Sequence, residues 1–163
     1  MADSPLTIQT NRILIAVDDS KYSEKAVWYG FHLAQAFQAS VALVHVIDPP
    51  TNSSYGAVDP IMGVNPVYIP EMNEVQEQAS TELLDRLAAT WQGAPESISK
   101  ISKMGQPRKE ILTAANEWQA NLIVLGTHGR TGFDHFISGS VSEGVARHAL
   151  CPVLIVPYKD EQA

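Results

Sequence analysis

The chain has one cysteine, Cys151, so no internal disulfide can form, and a core must hold this domain together unaided. Cys151 lies between Leu150 and Pro152, just ahead of an apolar run, which predicts a buried structural thiol rather than a redox group. Basic residues are scarce: 11 Lys and Arg against 18 Asp and Glu give a formal charge of −7, which argues against a general nucleic-acid surface. Any anionic ligand must then be held by local donors. No apolar run approaches the ~20 residues of a membrane span, and Met1 to Thr10 has neither a basic start nor a hydrophobic stretch, so no membrane partner and a cytoplasmic setting are the default expectations. There are no internal repeats and no low-complexity tails. The five histidines, His32, His45, His128, His135 and His148, show no metal-ligand spacing, so no protein-held metal is expected.

What the chain does contain is one domain's worth of alternating pattern over residues 1–163, with 45% hydrophobic content. Five β-rich runs are predicted as strands: Arg12 to Val17, Val41 to Ile47, Ser97 to Lys103, Leu122 to Leu125 and Val153 to Val156. Four are almost continuously apolar, as strands covered on both faces are. The Ser97 to Lys103 run alternates, which predicts an outer strand. Between the runs lie helical patterns. One follows Ser20 as N-cap, with Glu24 in the first turns and Ala26, Gly30, Leu33, Ala34 and Phe37 as its apolar positions. A second runs from about Glu71 to Trp91, with Val75, Ala79, Leu83 and Leu87 facing the sheet. A third opens on Pro107 and carries Ile111, Leu112, Ala115 and Trp118. The fourth follows Gly139-Ser140 and stops before Cys151-Pro152. Strand–helix alternation predicts an α/β fold: a parallel sheet in the order 3-2-1-4-5 with helices on both faces. The stretch 48–70 is a long insertion with five prolines and a set of apolar side chains, Tyr55, Ile61, Met62, Val67, Tyr68 and Ile69 among them. It reads as a lid, as a dimer contact, or as an insertion without a role.

Two segments carry the chemistry. In the predicted order, strands one and four are neighbours whose crossovers leave in opposite directions, so their carboxyl ends form a crevice. Asp18, in Ala16-Val17-Asp18-Asp19-Ser20, and Gly126 then face one cleft. A carboxylate there accepts from a base amino group or a ribose hydroxyl; the alternative is that Asp18 or Asp19 caps the helix near Ser20. The second segment runs from Gly126 to Ser142. Gly126 and Gly129 remove side chains beyond strand four, nine residues separate Gly129 from Gly139, and Gly139-Ser140 heads the last helix, with Ser142 close behind. Free N–H groups at that helix start, aided by the positive end of the helix dipole, suit a phosphate. The alternative is that Gly126, Gly129 and Gly132 merely supply positive φ in a βα connection. No Gly-Lys-Ser/Thr follows, so this is no Walker A loop, and it lacks the Gly-x-Gly-x-x-Gly dinucleotide fingerprint. Arg130 either neutralises phosphate by a forked contact or is simply solvated. Ser140, His128 and Asp134 do not make a hydrolase triad, because no Gly-x-Ser-x-Gly elbow is present, and no catalytic residue is assigned.

The spacing Gly-x-x-Gly, nine residues, Gly-Ser resembles the nucleotide-binding signature of the universal stress protein family. The likeness extends to Ile13 through Asp18 with Ser20, to His45-Val46-Ile47-Asp48, to Gly105-x-Pro107 and to Asn121 through Val156. It implies a single-domain member of the ATP-binding branch, with a Rossmann-like fold of the adenine nucleotide alpha hydrolase-like type. It further implies that Ala16, Val17 and Asp18 line the adenine and ribose side, that Val46 packs against the base, and that Gly126, Gly129, Gly139, Ser140, Val141 and Ser142 wrap the ribose and phosphates. The implied ligand is ATP, with AMP, ADP or a cyclic nucleotide as alternatives and Mg²⁺ carried by the phosphates. The implied assembly is a homodimer through Val153 to Val156. A nucleotide-dependent switch or binding module in stress response is the leading expectation, and slow ATP hydrolysis or a nucleotide-free interaction protein the alternatives.

Overall fold

A computed structural model describes residues 10–48, 70–91, 98–127 and 140–157. Most of the 48–70 insertion therefore lies outside the described residues, as do Gly129, Arg130, Gly139, His128, Asp134 and His135. The elements alternate along the chain: β1 (Arg12–Val17), α1 (Lys21–Phe37), β2 (Ser40–Ile47), α2 (Pro70–Ala88), β3 (Ile98–Met104), α3 (Pro107–Glu117), β4 (Leu122–Gly126), α4 (Ser140–His148) and β5 (Val153–Val156). The strands form one parallel sheet in the order β3-β2-β1-β4-β5.

Strand alternation divides the core in two. Ile13, Ile15, Val17, Val41, Leu43 and Val124 point to the face covered by α1 and α2, where they meet Ala26, Val27, Phe31, Leu83, Leu84 and Leu87. Leu14, Ala16, Ala42, Val44, Ile123 and Leu125 point to the other face, against Ile111, Ala114 and Ala115 of α3 and Val145 of α4. The continuous apolar runs of β1, β2 and β4 thus serve two helical layers at once. β3 alternates buried and solvent-facing positions and lies on the outside of the sheet, where its pattern put it.

Local chemistry sets the helix ends. Ser20 caps α1, its hydroxyl accepting from the Ser23 N–H at 3.4 Å, and Gln38 closes the helix in the left-handed region at φ 54°. Pro107 opens α3, where its missing N–H costs no hydrogen bond. Gly105 turns the chain from β3 into α3 at φ +146°, a conformation that side-chain-bearing residues rarely adopt, and its N–H donates to the Ile47 carbonyl at 3.0 Å.

α2 departs from the stripe read in its sequence. Leu83 and Leu87 are buried as expected, but Ala79 is exposed and Val75 is 66% exposed; Ser80 occupies the inner face instead, with no exposed surface. The helix also ends at Ala88, three residues before Trp91. Thr90 terminates it by donating its hydroxyl to the Leu87 carbonyl at 2.7 Å. Cys151 is half-buried rather than fully enclosed, and burial pushes its thiol pKa above the ordinary value.

Candidate functional site

The carboxyl ends of β1 and β2 open into a hollow of about 660 Å³, walled on one side by α2. Asp18, the residue after β1, and Val46, near the end of β2, both line it. Asp18 is fixed from two directions. Its N–H donates to Ser23 Oγ at 2.7 Å, while its Oδ1 accepts from the hydroxyls of Ser20 and Ser23, both at 2.5 Å. Since Ser20 is the cap of α1, Asp18 is not; its carboxylate is buttressed by the cap instead. No described residue bonds to Oδ2. A carboxylate restrained through one oxygen presents the other as an oriented acceptor for a ligand N–H or O–H.

Around Asp18 the hollow is lined with charge. Asp19 pairs with Arg86 of α2 at 2.7 Å, tying the start of α1 to α2 across the opening. Asp48 and Glu82 add two further carboxylates, leaving acidic groups in excess. The floor holds a relay that the sequence did not announce: His45 Nδ1 lies 2.8 Å from Ser80 Oγ, which lies 2.8 Å from Ser102 Oγ. His45 and Ser102 face each other in the β2–β3 register, so the serine of α2 bridges two adjacent strands. The one legible signal was His45 and Asp48 at the end of β2; Ser80 and Arg86 sit in an ordinary helical pattern with nothing to mark them.

The remaining candidates distribute over the same end of the sheet. Ala16 and Val17 are both buried, Ala16 towards α3 and α4, Val17 towards α1 and α2. Gly126 closes β4, and a Cβ there would stand 3.3 Å from the Tyr22 carbonyl oxygen in the first turn of α1. Its lack of a side chain lets α1 approach the end of β4, and its φ is not positive. Ser140 is the first residue of α4, Val141 is half-buried against the α3–α4 side of the core, and Ser142 is buried. The structure therefore brings Asp18 and Val46 to one hollow, and puts Gly126 and the start of α4 at that same end because every strand is parallel. A second hollow, about 700 Å³, lies at the opposite, amino ends of β4 and β5. Leu112, Asn121, His148 and Cys151 line it, and none of the nucleotide candidates does.

Among the described residues, no group of three His, Cys, Asp or Glu side chains is placed to hold a metal ion. No described helix is long and apolar enough to cross a membrane.

Comparison with known proteins places this architecture. The universal stress protein YxiE of Bacillus subtilis is 34% identical over 151 residues, which cover 90% of this chain and 98% of that one. The solved UspA of Lactobacillus plantarum superposes with a TM-score of 0.68 at 23% identity, over 91% of this chain and 98% of its own. A universal stress protein in complex with cAMP superposes with a TM-score of 0.64 at 22% identity, covering 91% of this chain and 97% of its own. The Archaeoglobus fulgidus protein in complex with dAMP gives 0.57 at 19%, over 90% and 98%. The model of the universal stress protein family matches residues 9–157, and the chain belongs to that family.

Proposed function

We propose that the protein is a binding module for an adenine nucleotide, ATP in the first instance, held at the carboxyl ends of β1, β2 and β4. The observation that carries this reading is Asp18, locked through Oδ1 by Ser20 and Ser23 and lining a hollow with Val46. Asp18 Oδ2 would accept from the ribose or the base, and Val46 would pack on the base. Gly126, Gly129, Gly139, Ser140, Val141 and Ser142 would surround the phosphates, with the first N–H groups of α4 as donors. The chemistry of the hollow fits that orientation. Asp18, Asp48 and Glu82 favour hydrogen-bond donors over phosphate, so the phosphates belong at the other side, towards α4. Mg²⁺ would be carried by the phosphates, because no described carboxylate cluster is shaped for it.

Binding rather than turnover is the function proposed: a switch in stress response whose surface changes with nucleotide state, acting in the cytoplasm as a homodimer through β5. The complexes of related folds with cAMP and dAMP support a second reading, in which the occupant is a monophosphate.

The test is identification of the nucleotide released when the purified protein is denatured, followed by calorimetric titration with ATP, AMP, cAMP and GTP, with and without Mg²⁺. Bound ATP that stays intact over hours supports the switch. AMP or cAMP binding more tightly than ATP supports the second reading. Failure of every adenine nucleotide to bind at millimolar concentration overturns both.

A further inference from the structure

We infer that Arg108, in the first turn of α3, is a specificity-determining residue that counts phosphates at the start of α4. This rests on the nucleotide reading above and adds a residue to it. The carrying observation is a contact between two helices. Gly144 of α4 is buried, and a Cβ at that position would stand 2.4 Å from Arg108 Cδ and 3.1 Å from Cγ. The arginine stem is therefore laid across the bare backbone of the neighbouring helix, where no other residue type would admit it. Gly144 is four residues beyond Ser140, about 6 Å along the helix. A guanidinium carried on that stem is within reach of the first turn of α4.

Arg108 is also unspent. Of the four arginines among the described residues, Arg12 lies over the Trp118 ring at 4.7 Å, Arg86 pairs with Asp19, and Arg147 pairs with Glu143. Arg108 has no hydrogen bond or ion pair among the described residues, although the chain carries an excess of acid. In the first turn of α3, Arg108 and Lys109 face the positive end of the helix dipole with Glu110 as the only acidic group in that turn, so the turn carries one net positive charge. The end of the molecule is the right one, because the Gly105 N–H bonds the Ile47 carbonyl and so pins the start of α3 beside the end of β2.

A forked guanidinium rewards additional phosphate oxygens, so its contribution rises with the length of the phosphate chain. The experiment measures ATP and AMP affinities by calorimetry for wild type, Arg108→Gln, Arg108→Lys and Gly144→Ala. Expected is a loss of about tenfold in ATP affinity for Arg108→Gln, with AMP affinity changed less than about twofold and the unfolding midpoint unchanged. Arg108→Lys should fall between, keeping charge without the fork. Gly144→Ala should reproduce the ATP-selective loss with the guanidinium still present, because the added methyl displaces the stem. If wild type binds ATP and Arg108→Gln keeps the same ATP-to-AMP ratio, the role of Arg108 is refuted and the nucleotide reading stands. An equal loss for both nucleotides refutes it too. If wild type binds neither nucleotide, both readings fall.

Discussion

Ser80 Oγ sits 2.8 Å from His45 Nδ1 and 2.8 Å from Ser102 Oγ, joining α2 to the two strands beneath it through a side chain with no exposed surface. A buried hydroxyl satisfied on both sides is worth more when removed than its net bond strength implies, because its partners lose a hydrogen-bonding group in a place water does not reach. Ser80→Ala should therefore destabilise the fold by about 1–3 kcal/mol, measured by urea denaturation. Thr81→Ala, one residue on and exposed, should change stability by less than about 0.5 kcal/mol. Equal effects at the two positions would mean that the relay holds nothing.

Gly30 makes a second long-range demand on α1. A Cβ there would stand 2.4 Å from Ile15 Cδ1 and 2.8 Å from Cγ1, so α1 lies closer to β1 than a side chain permits. In a solvated helix Gly→Ala stabilises, but here it should destabilise, by about 1–3 kcal/mol. Ile15→Val deletes the nearest atom, so Gly30→Ala combined with Ile15→Val should cost less than the sum of the two single changes. Strict additivity in a denaturation cycle would show that the contact does not limit the packing.

These two residues mark where the sequence ceased to be legible. Strand positions follow from the apolar runs: β1 and β5 fall on the residues read from the pattern, and β3 takes the edge that its alternation required. Periodicity reports on one element at a time. The Val75-Ala79-Leu83-Leu87 spacing is a valid helical stripe, yet its first half faces solvent because Ser80 has polar partners on β2 and β3 that no local pattern encodes. Gly126 was visible as a residue without a side chain, but the carbonyl of Tyr22 that comes close to it belongs to another element. Gly144 left no signal beyond a glycine inside a helix. Asp18 and Val46 were readable at strand ends, whereas Arg86 reaches the hollow only through the packing of α2 on β2.

Asp18 is the residue on which nucleotide binding should depend most. Asp18→Ala removes the acceptor offered to the ligand and should lower ATP affinity by about tenfold or more, as loss of a charged hydrogen bond does. It also strips the Ser20 and Ser23 hydroxyls of their acceptor, so a modest drop in unfolding midpoint is expected. Ser20→Ala provides the control: it loosens the same helix start but leaves the carboxylate. Its effect on affinity should be smaller than that of Asp18→Ala in the same titration. The reverse order would assign the role to the cap rather than to the acid.

Cys151 should be a sluggish thiol. Reaction with a disulfide reagent requires the thiolate, and burial raises the pKa, so at pH 8 less thiolate is present in the folded protein than in a free thiol. The pH–rate profile should accordingly be displaced to higher pH, and the rate at pH 8 should rise to that of a model peptide on denaturation. A folded rate equal to the peptide's would contradict the partial burial. Because the hollow beside Cys151 lies at the opposite end of the sheet from Asp18, modification should leave ATP affinity unaltered.

The two edges of the sheet are not alike. β3 presents Lys100 and Lys103 along its length, charges of the kind that keep an exposed edge from pairing with another chain, and both are engaged with carboxylates at 2.5 and 2.8 Å. β5 is Val-Leu-Ile-Val, pairs only with β4 among the described strands, and keeps three of its four residues half-buried. An apolar edge without such protection is the face that a second copy would cover. At ~10 μM the wild type should sediment as a dimer, within the range where burial of about 1,200–2,000 Å² sustains association. Leu154→Lys should shift it towards monomer, whereas Lys100→Leu on the opposite edge should not strengthen the dimer through β5. Monomeric wild type at that concentration would leave the β5 edge without a partner and remove the homodimer from the proposed function, while nucleotide binding, built within one chain, would be unaffected.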